Sequence, residues 1–197
     1  MYFKPVELPN LDLIKQQISK LIFESTDQEF QQKKHHTFLD MPPDFYKSIV
    51  PLVQAVETVR PWSDVNYIAI VRTTPGIMDI HVDSDVGVID QQGQYIASPP
   101  EQKWALNIPI ANCEETYTCW YKLKPGRQAK RVLHPINKYL HNMYDLEDLD
   151  EVGRYYLHSA GFFNALEIHR PVNNTNQDRV VLSIRFNTDL EDAGIVY

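Results

Sequence analysis

The residues of this chain with the clearest chemical potential are His81 and Asp83, which one valine separates in the segment DIHVDSD (79–85). Ile80 and Val82 alternate here with polar residues, as in a strand, so side chains two apart point to the same face. An imidazole and a carboxylate therefore emerge side by side, as two ligands of one metal ion would. A His-x-Asp pair is common by chance, and by itself it does not identify a metal site.

A metal centre of this kind needs a third ligand, and the remaining histidines supply the candidates. Five of them lie in polar or turn-like segments: His35, His36, His134, His141 and His158. His169 differs, because it ends the apolar segment FFNALEI (162–168) and opens the following loop, a position suited to a site residue on a rigid scaffold. Two imidazoles and one carboxylate on one face form the triad that holds non-heme Fe(II) and leaves coordination positions open.

Two arginines follow His169 on one predicted strand. Arg179 opens the segment VVLSIRF (180–186), and a period of two places Arg179, Ser183 and Arg185 on one face. The planar guanidinium fork matches a carboxylate bidentately, so an arginine near an iron site is a candidate anchor for an acidic co-substrate. Exposed charges at the ends of a strand are the other interpretation of both residues.

Composition limits the class of protein. The 197 residues include 19 Lys and Arg against 26 Asp and Glu, and this net charge of −7 argues against a general nucleic-acid binder. No apolar run reaches the roughly 18 residues of a membrane helix, and the first residues lack the pattern of a signal peptide. The two cysteines, Cys113 and Cys119, are too few for a disulfide framework. We therefore expect a soluble, cytoplasmic protein of one domain.

The elements that position these residues change character along the chain. Residues 1–60 are predicted to be helical, with one apolar stripe beginning at Leu11 and a second helix beginning at Pro42 with Asp44 as its N-cap. After Pro61, short segments rich in β-branched and aromatic residues predict strands at 65–72, 103–110, 116–123, 153–157, 162–168 and 180–186. Helices followed by many short strands favour an antiparallel sandwich or barrel braced by the helices.

Five motifs in this order resemble the 2-oxoglutarate and Fe(II)-dependent oxygenases. The motifs are Pro75-Gly76, His81-Val82-Asp83, LNIPI (106–110), EIHRPVNN (167–174) and DRVVLSIRF (178–186). Within that superfamily they are most similar to the aspartyl/asparaginyl β-hydroxylase-like branch and its small bacterial and phage members. The resemblance implies a double-stranded β-helix, a cupin-like jelly roll, with residues 65–187 as its core and 1–60 as helical support in one domain over 1–197.

The same resemblance implies a role for each site residue. His81, Asp83 and His169 would bind Fe(II), and Arg179 would bind the distal carboxylate of the co-substrate 2-oxoglutarate. Ser183 lies on the same face as Arg179, and Arg185 is an alternative anchor. Asn107 and Trp120, on the two middle strands, are candidates to line the pocket. No catalytic residue is expected beyond the metal centre.

The implied reaction is the hydroxylation of an unactivated C–H bond by molecular oxygen, with release of succinate and CO₂. A small molecule or an amino-acid or peptidyl side chain would be the substrate, with no membrane or nucleic-acid partner. Two other classes stay open, a cupin-like metal enzyme that does not use 2-oxoglutarate and a non-catalytic jelly-roll binding module. The role of residues 128–150 is also open. A local basic run is either a solvated hairpin tip or a surface that binds an acidic peptide or a nucleic acid. It consists of Lys122, Lys124, Arg127, Lys130 and Arg131.

Overall fold

The computed structural model describes residues 2–24, 31–33, 36–83, 86–89, 95–97, 103–133 and 139–190. Its α-helices are α1 (Leu11–Glu24), α2 (Pro43–Tyr46) and α3 (Val50–Glu57). The strands of the first half are β1 (Phe3–Pro5), β2 (Gln31–Lys33), β3 (His36–Met41), β4 (Val65–Thr73), β5 (Gly76–Ile77), β6 (Val86–Ile89) and β7 (Tyr95–Ala97). Those of the second half are β8 (Trp104–Ala111), β9 (Thr116–Leu123), β10 (Lys130–Leu133), β11 (Tyr139–Met143), β12 (Leu149–Tyr156), β13 (Gly161–Asn164), β14 (His169–Asn173) and β15 (Arg179–Phe186).

The described strands form three antiparallel sheets. The major sheet has the order β1-β13-β8-β15-β4-β3-β2, and the minor sheet has the order β12-β9-β14-β5. The third sheet, β10-β11-β6-β7, comes from two chain segments between strands of the other sheets. From β4 onward the chain passes repeatedly between the major and minor sheets, which is the winding of a jelly roll.

The main hydrophobic core lies between the helices and one face of the major sheet. Ile14 and Ile18 of α1 and Leu52 of α3 are fully buried there. The sheet contributes alternate residues of its central strands: Ile68, Ile70, Leu106, Ile108, Ile110, Val180, Leu182, Ile184 and Phe186. Each fully buried Leu or Ile contributes about 1.5–3 kcal/mol of hydrophobic stabilisation. Because side chains alternate along a strand, the odd-numbered residues of β8 and β15 face the minor sheet instead.

The N-terminal strand closes one edge of the space between the major and minor sheets. β1 pairs with β13, and the ring of Phe3 stacks on Tyr155 of the minor sheet with 3.5 Å between ring centroids. Gly161 faces the Phe3 ring so closely that any Cβ at that position would overlap it. The absence of a side chain at Gly161 therefore makes room for an aromatic wedge from the N-terminus.

The first 60 residues differ from the helical prediction in two ways. They contain β1, β2 and β3, and β3 pairs with β4 over residues 36–41. The predicted second helix is broken into α2 and α3 around Ser48, because Pro51 has no N–H to donate to the carbonyl of residue 47. Asp44 is not an N-cap, since it lies inside α2 and Pro42 takes that position without a side-chain hydrogen bond.

The basic run sits beside acidic residues that follow it in the chain. Arg127 Nε lies 3.1 Å from Asp148 Oδ1, and Lys130 forms an ion pair with Asp145. Lys124 Nζ donates to the carbonyl of Glu147 at 2.7 Å. Much of this positive charge is thus balanced locally, which favours the hairpin interpretation over an anion-binding surface. Residues 128–150 contribute β10 and β11 to the third sheet. In the described part of the chain, every helix is too short or too polar to cross a membrane.

Candidate metal centre

His81 and His169 are joined by a short antiparallel bridge. The backbone N–H of His81 donates to the carbonyl of His169 at 2.9 Å, and the reverse hydrogen bond is 2.8 Å long. This doubly bonded pair places both side chains on one face, with 4.5 Å between ring centroids. The predicted strand over 79–85 is wrong in extent, because β5 ends at Ile77 and, of the described residues 79–83, only His81 forms a β-bridge.

The two histidines lie in a repeated local arrangement, acid-Ile-His. The Nδ1 atom of His81 lies 2.8 Å from the carbonyl oxygen of Asp79, and that of His169 lies 2.8 Å from the carbonyl oxygen of Glu167. A carbonyl only accepts, so each Nδ1 carries the hydrogen. When neutral, each imidazole therefore presents the lone pair of Nε2, which is the state that binds a metal.

The isoleucine before each histidine packs on the opposite face of the minor sheet and holds this arrangement in place. Ile80 and Ile168 both pack against a buried cluster on the outer face of the minor sheet, formed by Cys119, Tyr121 and Leu149. Because alternate side chains point to opposite faces, fixing the isoleucines outward turns the imidazoles inward. The repeated triplet therefore sets both the direction of each ring and which of its nitrogens carries the hydrogen.

Asp83 completes the group. Its N–H donates to the carbonyl of Ala165 at 3.1 Å, and its Oδ1 lies 3.3 Å from His81 Nε2 and 3.4 Å from His169 Nε2. The three potential ligand atoms all lie within 4.8 Å of one another. Two imidazole nitrogens and one carboxylate converging in this way fit a non-heme Fe(II) centre, since the set is incomplete for structural zinc.

The electrostatics of the group favour the ligand protonation states of Asp83 and His169, whereas Asp83 favours the protonated form of His81. Burial would raise the pKa of Asp83, but hydrogen bonds and charges of His169, His81 and Arg185 hold it well below its usual range. Burial, together with the charge of His81, lowers the pKa of His169. For His81 burial also acts downward, yet the carboxylate of Asp83 outweighs it and raises the pKa. At neutral pH Asp83 is ionised and His169 is neutral, as metal binding requires.

The two arginines of β15 lie at different ends of the space between the sheets. Arg185 donates to Asp83 Oδ2, the oxygen that faces away from the histidines. Arg179 precedes Arg185 by six residues on β15, which separates their Cα atoms by about 20 Å at about 3.3 Å per residue. It is 4% exposed, its Nε has no hydrogen-bond partner among the described residues, and its side chain interacts with that of Cys113.

Ser183 and Asn107 lie between these two ends. They are paired in register on β15 and β8, and both belong to the faces turned toward the minor sheet. The Oδ1 atom of Asn107 is buried, and no donor in the described part of the chain hydrogen-bonds to it. An unsatisfied buried acceptor costs about 1–3 kcal/mol, so a ligand that donates there would be stabilised.

Trp120 forms part of the wall beside the histidines. It is paired in register with His169, and its Nε1–H donates to the carbonyl of Asn164 at 3.3 Å. Phe163 packs between them, with its ring 5.5 Å from that of Trp120 and 4.7 Å, edge to face, from that of His169. Trp120 therefore contributes an apolar, water-excluding surface, and its one polar group is already satisfied.

Of the other histidines, only His158 has a side chain that the structure describes, and it does not join this group. His158 is exposed and stacks on Tyr156, with 5.8 Å between ring centroids. His35 and His134 lie outside the described residues, as do the side chains of His36 and His141. Cys113 also interacts with Arg179, and no local pattern in the sequence indicates this contact. The repeat of acid-Ile-His was visible in the sequence and could have paired His81 with His169.

No family model matches the sequence, and no curated protein matches it either. Among solved structures, it is similar to HygX from Streptomyces hygroscopicus with nickel and 2-oxoglutarate bound, at 11% identity and a TM-score of 0.50 over 92% of this chain and 81% of that one. It is also similar to SnoK, a non-heme alpha-ketoglutarate-dependent carbocyclase from nogalamycin biosynthesis, at 10% identity and a TM-score of 0.54 over 96% of this chain and 82% of that one. The chain has a cupin-like jelly-roll fold. This confirms the mainly β fold class predicted from the sequence.

Proposed function

We propose that this chain is an Fe(II)- and 2-oxoglutarate-dependent oxygenase. The observation that carries the proposal is the joint placement of a His-Asp-His group and a buried arginine without an acidic partner among the described residues, both between the same two sheets. A metal group alone would suit many cupin-like proteins. A buried cation in addition favours an anionic co-substrate, because its desolvation is otherwise uncompensated.

In this proposal His81, Asp83 and His169 hold Fe(II) through two Nε2 atoms and one carboxylate oxygen. The carbonyls of Asp79 and Glu167 fix the imidazole orientations, and Arg185 fixes Asp83 through its second oxygen. Such outer partners commonly change metal affinity by about 10- to 100-fold. Three protein ligands leave the remaining positions to co-substrate and oxygen.

Arg179 binds the distal carboxylate of 2-oxoglutarate, and Asn107 and Ser183 line the path between that carboxylate and the metal. The unpartnered Nε of Arg179 is the donor that a carboxylate would satisfy. When bound, Fe(II) and 2-oxoglutarate supply the oxidation of a substrate C–H bond by O₂, with release of succinate and CO₂. The protein contributes orientation and the exclusion of water, the latter through Trp120 and Phe163, and needs no separate general base.

Only the sequence resemblance implies a class of prime substrate, and the fold does not. That resemblance implies hydroxylation of an amino-acid or peptidyl side chain. The described fold itself hosts other outcomes, since SnoK is a carbocyclase and HygX has been seen with hygromycin B bound. A substrate screen therefore includes free amino acids, peptides and small metabolites, and follows succinate release.

The test of the cofactor assignment is an anaerobic titration of the purified protein with Fe(II) and then 2-oxoglutarate, following the visible charge-transfer absorption of the chelate. We expect the band in the wild type, its loss in His81→Ala and a weaker response in Arg179→Ala. Iron binding without the band would contradict a 2-oxoglutarate enzyme and favour a cupin-like metal enzyme. Absence of iron binding would favour a jelly-roll binding module.

A further inference from the structure

Cys113 lies in the turn between β8 and β9, at the Arg179 end of the space between the sheets. It is 4% exposed, and its Sγ lies 3.2 Å from the carbonyl oxygens of both Ala111 and Val180. Val180 directly follows Arg179 and pairs with Ala111 in register. The thiol therefore holds the turn against the part of β15 that carries the arginine.

The contact between Cys113 and Arg179 leaves the guanidinium charge available. Burial lowers the pKa of Arg179, and Cys113 is the side chain that acts against this. Burial in turn raises the pKa of Cys113, so the thiol is neutral at physiological pH. A neutral thiol is a weak hydrogen-bond partner, and it orients the arginine without cancelling the charge as a carboxylate would.

Cys113 also lines a cavity at this end of the molecule. The cavity has a volume of about 380 Å³, and its polar lining includes Lys15, Glu114 and Gln177. The same Cys113 side chain interacts with that of Arg179. A smaller side chain there would let water from the cavity reach the guanidinium and weaken its interaction with any anion between the sheets.

We propose that Cys113 is a positioning residue for the co-substrate carboxylate: it holds the Arg179 side chain toward the space between the sheets and shields it from the cavity. The proposal rests on the proposed function, in which Arg179 binds the distal carboxylate of 2-oxoglutarate. It assigns Cys113 to selectivity for a 2-oxo acid that carries a second carboxylate, and gives it no contact with the reacting atoms.

The experiment compares two probes on the Fe(II)-loaded protein under anaerobic conditions: 2-oxoglutarate, and 2-oxopentanoate, which lacks the distal carboxylate. We expect the wild type to prefer 2-oxoglutarate, and Cys113→Ala to weaken 2-oxoglutarate binding about tenfold while 2-oxopentanoate binding is unchanged. Cys113→Ser should restore most of the preference. Cys113→Asp should abolish it, because a carboxylate in that position would pair with Arg179.

Cys119 provides the matched control. It is also a free, buried thiol, but it lies in the cluster on the outer face of the minor sheet. Cys119→Ala should keep the wild-type preference between the two probes, and Fe(II) affinity reports whether each variant is folded. If Cys113→Asp does not fold, Cys113→Ala and Cys113→Ser still show whether Cys113 positions Arg179.

Failure of the positioning role can be distinguished from failure of the proposed function. A wild-type preference retained in Cys113→Ala overturns the positioning role while leaving the oxygenase assignment intact. An equal loss of binding for both probes in Cys113→Ala also overturns it, since that result indicates a general structural role. A wild type that gives no absorption band with 2-oxoglutarate removes the proposed function itself, and the role of Cys113 with it.

Discussion

Arg185 and Arg179 share a residue type, a strand and a strand face, but their surroundings differ. Arg185 meets a carboxylate, Asp83, and is 13% exposed. Arg179 is more deeply buried and meets only a neutral thiol in the described part of the chain. The first arginine already has the partner that compensates its desolvation, whereas the second lacks one.

In our proposal, this difference separates a structural arginine, Arg185, from a binding one, Arg179. A buried charge without a counter-charge is destabilising, and proteins retain such groups where a ligand supplies the missing charge. Arg185 stabilises the ligand group of the metal-free protein. Arg179 lowers the stability of the free protein and, in our proposal, recovers that energy when 2-oxoglutarate binds.

The largest effect is expected from Arg179→Ala. Loss of the charge should lower the affinity for 2-oxoglutarate by about 100-fold, since a desolvated ion pair is removed, while Fe(II) affinity is unchanged. Anaerobic calorimetry with each ligand in turn measures both quantities. Arg154→Ala is the control, because Arg154 is an exposed arginine paired with Glu151 on the surface. Equal affinities in Arg179→Ala and wild type would remove the contrast between the two arginines.

A smaller effect of a different kind is expected from Arg185→Ala. Asp83 loses the donor that orients its second oxygen, so Fe(II) affinity should fall by about 10- to 100-fold. At saturating Fe(II), 2-oxoglutarate affinity should change less than in Arg179→Ala. Metal affinity is measured by competition with a chromophoric chelator. If this variant instead lost 2-oxoglutarate and kept Fe(II), the two roles would have to be exchanged.

The metal-free protein should show effects of opposite sign on stability. Arg179→Met removes an uncompensated buried charge and should raise the free energy of unfolding by about 1–3 kcal/mol. Arg185→Met leaves Asp83 without its cation and should lower the free energy of unfolding by a similar amount. Urea unfolding at neutral pH measures both variants. The same sign for both would show that pairing with Asp83 does not distinguish them.

The smallest effect is expected in acid. The pKa of Asp83 is lower in the folded protein than in the unfolded chain, so its contribution to stability is present at neutral pH and is lost as the pH falls through the folded value. Arg185 contributes less to this lowering than the two histidines. Arg185→Met should therefore move the acid loss of stability upward by less than about one pH unit. Arg179→Met should not change the pH at which stability is lost. Far-UV circular dichroism follows the acid unfolding of both variants.

The sequence predicted two continuous strands well, but the strand predicted over 162–168 ends at Asn164, and His169 begins β14 rather than a loop. The prediction of 116–123 coincides with β9, and that of 180–186 differs from β15 by one residue. These segments are uninterrupted runs of β-branched and aromatic residues, and so their local preference agrees with their place in the sheet. Strands β2 and β3 escaped prediction because they are fixed by pairing with a distant strand, β4, rather than by a local pattern.

The candidate site was predictable in its residue types but not in its arrangement. Spacing selected His81 and Asp83, and the structure brings them together with His169, whose role as a ligand stays a prediction. The period of two placed both arginines on one face. It could not say which end of β15 meets Asp83, because that depends on a contact between residues 102 positions apart.

The wedge formed by Phe3 has a consequence for how the protein is made. β1 is synthesised before its partner β13, which begins at Gly161, 156 residues after Pro5. At roughly 5–20 residues per second, translation needs about 8–30 s to reach that partner. Throughout this interval the Phe3 ring has neither Tyr155 nor the space beside Gly161 to occupy. The edge of the jelly roll beside β13 is therefore closed only after the 156 residues from Pro5 to Gly161 have been synthesised.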